Sequence, residues 1–323
     1  MKNFAITGVA GYIAPRHLKA IKETGNNLVA AVDPHDSVGI LDQFFPHTSF
    51  FTEFERFDRH LEKLRRKGEE DKVHYLTICS PNNLHDAHIR LALRIGADAI
   101  CEKPLVLNPW NLDTLQELEN ETGSKVYTIL QLRVHESLIE LKKKLDSTMT
   151  NQKYKVSLTY ITSRGIWYDY SWKGQKEKSG GIGTNIGIHF FDMLLWLFGG
   201  VQKSELHLSE PTKMAGFIEL DNAEVTWFLS ADRSDLPTDA VEKGIPTFRS
   251  IEYNGEEIQF SSGFTDLHTK VYEETLAGNG FGIEHARPSI ILANELRTSE
   301  VTENSDSIIH PFAEKYLRRQ KQL

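Results

Sequence analysis

Lys103, Asn185 and His189 carry functional groups suited to oxidising a secondary alcohol. That reaction needs a hydride acceptor, a group that takes the hydroxyl proton, and a charge that stabilises the developing alkoxide. A neutral imidazole at His189 can take the proton at physiological pH. An ammonium at Lys103, in a turn that closes a strand, can stabilise the alkoxide, and the Asn185 amide can orient the hydroxyl or the lysine. Asn185 stands four residues before His189, so on a single α-helix the two share a face. Asp192, almost a turn further on, can orient the imidazole or simply cap a packing network. Each residue also has a plainer explanation. A histidine in an apolar helix is often a satisfied core residue, and a lysine in a turn is often just solvated. The residues alone leave both explanations open.

The hydride acceptor points to the N-terminal half. Residues 4–7 form a short apolar run that ends at Gly8, as a buried parallel strand does. Gly8-Val9-Ala10-Gly11-Tyr12-Ile13 follows, then a helical pattern that Gly25 stops. Residues 28–32 read as a second strand, closed by Asp33. A dinucleotide pyrophosphate needs backbone N–H groups at a helix N-terminus and no Cβ in the way. An acid at the end of the second strand accepts hydrogen bonds from the ribose hydroxyls. Pro34 and His35 follow Asp33 with no adjacent arginine, so a 2′-phosphate is repelled and NAD is favoured over NADP. Ala10 and Ile13 stand where the second and third glycines of the usual fingerprint fall, and Ala10 adds only a methyl. The candidate cofactor residues here are Gly8, Ala10, Gly11, Tyr12, Ile13 and Asp33. The turn alone would also suit another kind of α/β protein.

Further strand–helix units follow. Strands are expected at 73–79, 97–101 and 126–132, with helices at 84–95 and 108–122. This alternation predicts a parallel sheet with helices on both faces, and ligands of such sheets sit at the carboxyl ends of the strands. Ser80, Asn82, Glu102, Lys103 and Gln131 would all lie at that edge. The second half changes character. Strand-like runs at 155–162, 213–220, 223–229 and 247–253, an Asn254-Gly255 hairpin signal, and helices near 264–276 and 284–297 predict an α+β domain on a mostly antiparallel sheet. The expected organisation is α/β, with a nucleotide-binding domain over 1–133 and a substrate and oligomerisation domain over 134–323.

Composition narrows the classes. Against 37 Lys and Arg stand 45 Asp and Glu, a formal charge of −8, so the footprint of a nucleic-acid binder is missing. Cys79 and Cys101 are the only cysteines, too few and too isolated for a disulfide framework or a metal cluster, and they read as small buried hydrophobes. No metal is expected. The N-terminus reaches glycine too soon for a signal-peptide core, and the apolar stretch 182–198 is interrupted by Asn185, His189 and Asp192. These features predict a cytoplasmic protein with no membrane partner.

Taken in order, the Gly-rich turn, Ser80-Pro81 with His85, Glu102-Lys103-Pro104, and a Gly-rich stretch before the helix with Asn185, His189 and Asp192 resemble the Gfo/Idh/MocA oxidoreductases. That resemblance implies an N-terminal Rossmann domain and a C-terminal α/β substrate domain. It implies Lys103 and His189 as catalytic residues and adds His85 to the cofactor residues. Residues 10–17, 161–165, 171–174, 184–192 and 263–269 are similar to one branch of the family. Members of that branch use NAD to oxidise the C3 hydroxyl of UDP-N-acetylglucosaminuronic acid, in sugar synthesis for the bacterial lipopolysaccharide O-antigen. Some reoxidise the NADH with 2-oxoglutarate, and the resemblance implies a homotetramer.

An anionic nucleotide sugar needs positive contacts. Arg164 and Lys173 are candidates for a phosphate or the sugar carboxylate, with Tyr168, Trp167 and Trp172 available to stack on uracil or sugar. Arg16 and His17, just after the Gly-rich turn, could meet the pyrophosphate or the sugar carboxylate. Many family members carry Asp where Asn185 stands, and the amide spares an anionic substrate that repulsion. The competing expectations are a dehydrogenase of a simpler sugar or polyol and a cofactor sensor without turnover. Lys103 with His189 argues against the sensor.

Overall fold

The computed structural model describes residues 1–148, 152–258, 266–302 and 305–320, which form two compact units. The first comprises Met1–Val134 with residues 266–287; the second comprises residues 135–258 with 288–320.

The first unit holds strands β1 (Asn3–Thr7), β2 (Asn27–Val32), β3 (Ser49–Phe51), β4 (Tyr75–Ile78), β5 (Asp98–Cys101) and β6 (Val126–Thr128). All are parallel, in the order β3-β2-β1-β4-β5-β6. Phe4–Ile6, Leu76–Ile78 and Ala99–Cys101 are buried without a break because both faces of the sheet are covered. The strand order reverses between β1 and β4, the place where such sheets open a crevice. β3 and the helix Phe54–Lys67 are not anticipated from the sequence. The strand is three half-buried residues at an edge, too short to show a period. The helix signal, Phe57, Leu61 and Leu64, is set among charged residues.

The second domain, expected as one run from 134, is interrupted. The helix Leu267–Leu276 belongs to the first unit, where Leu267, Val271 and Tyr272 enter one apolar cluster with Phe4, Ile6, Leu18 and Ile21. The rings of Phe4 and Tyr272 stack with centroids 5.9 Å apart. Of the motif at 263–269, the first three residues lie outside the described ones.

The second unit is built on β7 (Tyr154–Thr162), β8 (Val201–Glu210), β9 (Lys213–Leu220), β10 (Ala223–Ser230), β11 (Thr247–Tyr253) and β12 (Glu256–Glu257). Their order is β12-β11-β7-β10-β9-β8, antiparallel except for the pair β7–β10. Asn254 and Gly255 take φ of 50° and 82° and close the expected hairpin. β8 is an edge strand whose start, Val201 to Glu205, is polar and partly exposed, which hid it. On one face, Trp227 and Leu229 meet Phe191 and Gly187 of the long apolar segment 182–198. By length and composition the run Lys176–Phe198 could cross a bilayer, but here it is largely buried within the unit. On the other face, Phe228 and Leu208 pack beside Phe312 and Tyr316 of the helix Pro311–Gln320.

That helix is tied down by a buried charge network. Asp235, fully buried, accepts from Ser230 Oγ at 2.7 Å, from Lys315 Nζ at 2.8 Å and from the Tyr316 hydroxyl, and lies 3.3 Å from Lys213 Nζ. Burial opposes the charge on Lys213, but its hydrogen bonds to Tyr316 and Asp232 and the charge of Asp235 raise its pKa. Removing one partner leaves the other charge stranded in low dielectric. Asp235→Ala should therefore cost about 3–5 kcal/mol in urea unfolding. Lys315→Ala, at a side chain 44% exposed, should cost less than about 1 kcal/mol.

Candidate functional site

The crevice of the first unit is shaped by what residue 8 lacks. Gly8 has φ of 78°, and a Cβ there would stand 2.6 Å from the Cys79 carbonyl carbon and 2.7 Å from Ser80 N. The turn after β1 therefore lies directly against the turn after β4. The Gly8 N–H donates to Val32 O at 2.8 Å, and Gly11 N–H to Gly8 O at 3.0 Å. Pro15 sits in the first turn of the helix Ala14–Glu23, which starts directly behind the Gly-rich turn, with Ala14 N–H donating to Gly11 O at 3.1 Å. Asp33, buried at the end of β2, accepts from Ala10 N–H at 3.0 Å and from His35 N–H at 2.9 Å. One carboxylate thus fixes the Gly-rich turn at the position where a ribose hydroxyl would be read. The donor set and the missing Cβ fit an adenine dinucleotide. Tyr12 is exposed, while Ala10, Gly11 and Ile13 are half-buried around the turn.

Ser80 and Asn82 are buried at the end of β4. Ser80 Oγ lies 2.9 Å from His88 Nδ1, which also lies 3.1 Å from Thr7 Oγ1. His85 is fully buried, with ring nitrogens 2.9 Å from Ser80 O and 2.7 Å from Pro104 O. It cross-links the two loops that flank the crevice. The Lys103–Pro104 peptide is cis. Lys103 is half-buried, and Gln131 is half-buried in the short turn after β6.

Arg16 is exposed, but His17 is not free to meet a ligand. It is fully buried, with Nδ1 2.8 Å from the Tyr272 hydroxyl and Nε2 donating to Glu102 Oε1 at 2.9 Å. His17 lies on the buried face of its helix, so the ligand contact suggested for it is corrected. His268 Nε2 donates to the same Glu102 oxygen at 3.0 Å. The sequence reading missed His268 and Tyr272, since residues some 250 positions from His17 carry no spacing signal. Burial holds both thiols, Cys79 and Cys101, well above their ordinary pKa, consistent with the inert hydrophobes expected.

In the second unit, Asn185 and His189 are not on one uninterrupted α-helix. Gly183–Gly187 forms a π turn, and the α-helix begins at Ile188. The wider i→i+5 turn replaces the four-residue relation read from the sequence. A Cβ at Gly187 would stand 2.8 Å from both Leu229 and Phe191. His189 is the one partly exposed residue between 182 and 195; every other side chain in that span, Asp192 included, is buried. Asn185 Nδ2 donates to the Tyr168 hydroxyl at 3.2 Å. Burial raises the Tyr168 pKa, against the Asn185 hydrogen bond and the charge of Arg164. Arg164 is exposed, and the Lys173 ammonium lies over Trp167 and Trp172, 5.5 and 5.7 Å from the ring centroids.

A parallel sheet with a glycine-tight crevice at its switch point, an acid closing the second strand and a Glu-Lys-Pro turn define a nicotinamide-dependent oxidoreductase. The chain belongs to the Gfo/Idh/MocA oxidoreductase family. Residues 2–129 match its NAD-binding Rossmann fold, and residues 152–244 match its C-terminal alpha/beta domain. It is similar to the WlbA (WbpB) dehydrogenase of Thermus thermophilus, with 54% identity, a TM-score of 0.93, and 97% of this chain and 100% of that one covered. Solved structures of that protein hold NAD with UDP-GlcNAcA and NAD with alpha-ketoglutarate. The WlbA dehydrogenase of Bordetella pertussis shares the fold at 18% identity and a TM-score of 0.72, over 91% of this chain and 94% of that one. The oxidoreductase YteT of Bacillus subtilis is 22% identical over 62% of this chain, an alignment that spans 47% of its own length.

His88 beneath Ser80, and His310 against Thr159 in the second unit, are both lowered to a pKa of about 4 by burial. Unfolding frees each to titrate at its ordinary value, so their contribution is intact above about pH 6.5 and lost as pH falls toward 4. The gap corresponds to roughly 3 kcal/mol for each. Urea unfolding should show stability falling between pH 6.5 and 4.5, before most carboxylates titrate. A flat profile over that interval would contradict the burial.

Proposed function

We propose that this protein is an NAD-dependent dehydrogenase that oxidises the C3 hydroxyl of UDP-N-acetylglucosaminuronic acid (UDP-GlcNAcA) to a ketone. The observation that carries this reading is the 54% identity, over 97% of the chain, to a dehydrogenase whose structure holds NAD and UDP-GlcNAcA. The likeness of residues 10–17, 161–165, 171–174, 184–192 and 263–269 to one branch of the family supports C3 as the carbon oxidised.

NAD, when bound, supplies the hydride acceptor. Gly8, Ala10, Gly11, Tyr12 and Ile13 take the pyrophosphate side, Asp33 the ribose, and Ser80, Asn82, Glu102 and Gln131 the remaining sheet edge. His85 acts through Ser80 and Pro104, whose carbonyls it reaches. His189 takes the hydroxyl proton, and the Lys103 ammonium stabilises the oxygen as its charge grows. Asn185, held by Tyr168, orients the hydroxyl. The balance is secondary alcohol plus NAD⁺ to ketone, NADH and a proton. Arg16 in the first unit, and Arg164, Tyr168, Trp172 and Lys173 in the second, are each assigned to the substrate. α-Ketoglutarate is the proposed reoxidant, its C2 ketone becoming a secondary alcohol; its presence with NAD in the Thermus structure supports this. A cytoplasmic homotetramer working in lipopolysaccharide O-antigen sugar synthesis completes the reading.

Adding UDP-GlcNAcA to the purified protein with NAD should raise the near-ultraviolet absorbance of reduced nicotinamide, and α-ketoglutarate should then lower it. No rise would remove the substrate assignment. His189→Ala should lower kcat by about 10²–10⁴-fold with NAD affinity unchanged. Asn185→Asp should raise the KM for UDP-GlcNAcA, because a carboxylate beside a pyrophosphate and a uronate repels both. Unchanged constants in that variant would count against the role of the amide.

A further inference from the structure

Glu102 carries more than the backbone turn it belongs to. Its Oε1 accepts from Nε2 of both His17 and His268, at 2.9 and 3.0 Å, and its Oε2 accepts the Lys103 N–H at 3.2 Å. His17 Nδ1 meets the Tyr272 hydroxyl at 2.8 Å, which in turn meets Thr77 Oγ1 at 2.8 Å. Four segments converge here: the helix after the Gly-rich turn, the end of β5, β4, and the helix Leu267–Leu276 that returns to this unit. The proton inventory closes. Thr77 donates to Tyr272, Tyr272 to His17, and both imidazoles to one carboxylate, with His17 kept neutral by burial. An ionised carboxylate this deep is costly, and an apolar side chain would fill the space at less expense.

We propose that His17, Glu102 and His268 are positioning residues that hold the Lys103 peptide, and through it the Lys103 ammonium, in its working orientation. This rests on the role given to Lys103 under the proposed function. The Lys103-Pro104 segment is held at both ends: Glu102 receives the Lys103 N–H, and His85 lies 2.7 Å from Pro104 O. Between those two anchors the side chain of Lys103 is left half-buried at the sheet edge. The other titratable groups facing the cluster are Arg16, Cys79, Cys101, His85 and Tyr272. Burial keeps the two thiols and the phenol protonated, so among these groups Glu102 is the one that carries a negative charge.

Glutamine at position 102 cannot serve the clamp. Its amide nitrogen must face either the Lys103 N–H or the two imidazole donors, and donor then meets donor. Glutamine at position 268 can serve, because its amide still donates. The test uses the NAD-loaded protein in four forms: wild type, Glu102→Gln, His268→Ala and His268→Gln. Two readouts are taken: the pH profile of kcat with UDP-GlcNAcA, and the titration of Lys103 by NMR of its ¹³C-methylated amine. Glu102→Gln should lower kcat at least tenfold with little change in the KM for NAD, and move the alkaline limb and the Lys103 titration down by about one pH unit. His268→Ala should lower kcat, and His268→Gln should restore most of it. Equal kcat and equal Lys103 titration in all four forms would overturn the proposal. If the wild type fails to turn over UDP-GlcNAcA, the proposed function falls, while the Lys103 titration still decides the clamp. The three ligand atoms also lie within 4.8 Å of one another. Zinc bound stoichiometrically by the wild type and lost in Glu102→Gln would make this a metal site and overturn the clamp.

Discussion

The first unit depends on a close approach that only a glycine permits. With a Cβ at residue 8, the turn after β1 could not lie against Cys79 and Ser80, and the crevice at the switch point would be filled. Its other features follow from that contact. The helix Ala14–Glu23 can start immediately behind the turn, Asp33 can reach the Ala10 N–H, and the β4 and β5 loops can be laced together by His85. Two polar groups that would be costly in a core are given partners: His88 by Ser80 and Thr7, Glu102 by two imidazoles and a backbone N–H.

The second unit solves a different problem. Its long helix leaves one imidazole partly exposed in a segment that is otherwise core. The segment 182–198 packs its aromatic and aliphatic side chains onto β7 and β10, and His189 alone between 182 and 195 keeps access to solvent. The π turn at Gly183–Gly187 sets the angle at which the helix starts, and Asn185 within it is held by the Tyr168 hydroxyl. Irregular helical turns of this kind are frequent at functional sites, because the extra residue re-aims a side chain without changing the packing beyond it.

Much of this was legible in the sequence where a signal is local. The Gly-rich turn, Asp33 closing β2, the hairpin at Asn254-Gly255 and the strands 213–220 and 247–253 are short-range patterns with direct physical causes. Edge elements were not legible, because β3 and β8 are half-exposed and show no clean period. Nor could the sequence show that 266–287 packs with the first unit, since the partners of Tyr272 lie as far away as Phe4 and His17. His17 shows the limit of reading by position. Its place just after the Gly-rich turn suggested a ligand contact, and its burial assigns it to Glu102 instead. The π turn was likewise invisible, since Gly-Thr-Asn-Ile-Gly suits an α-helix start equally well.

The most direct test of the account follows one hydrogen atom. UDP-GlcNAcA carrying deuterium at C3 is given to the protein with NAD, and the reduced cofactor is examined by mass spectrometry. The account predicts one deuterium per reduced nicotinamide, transferred from C3. Reduced cofactor that carries no deuterium, or no reduction at all, would contradict it.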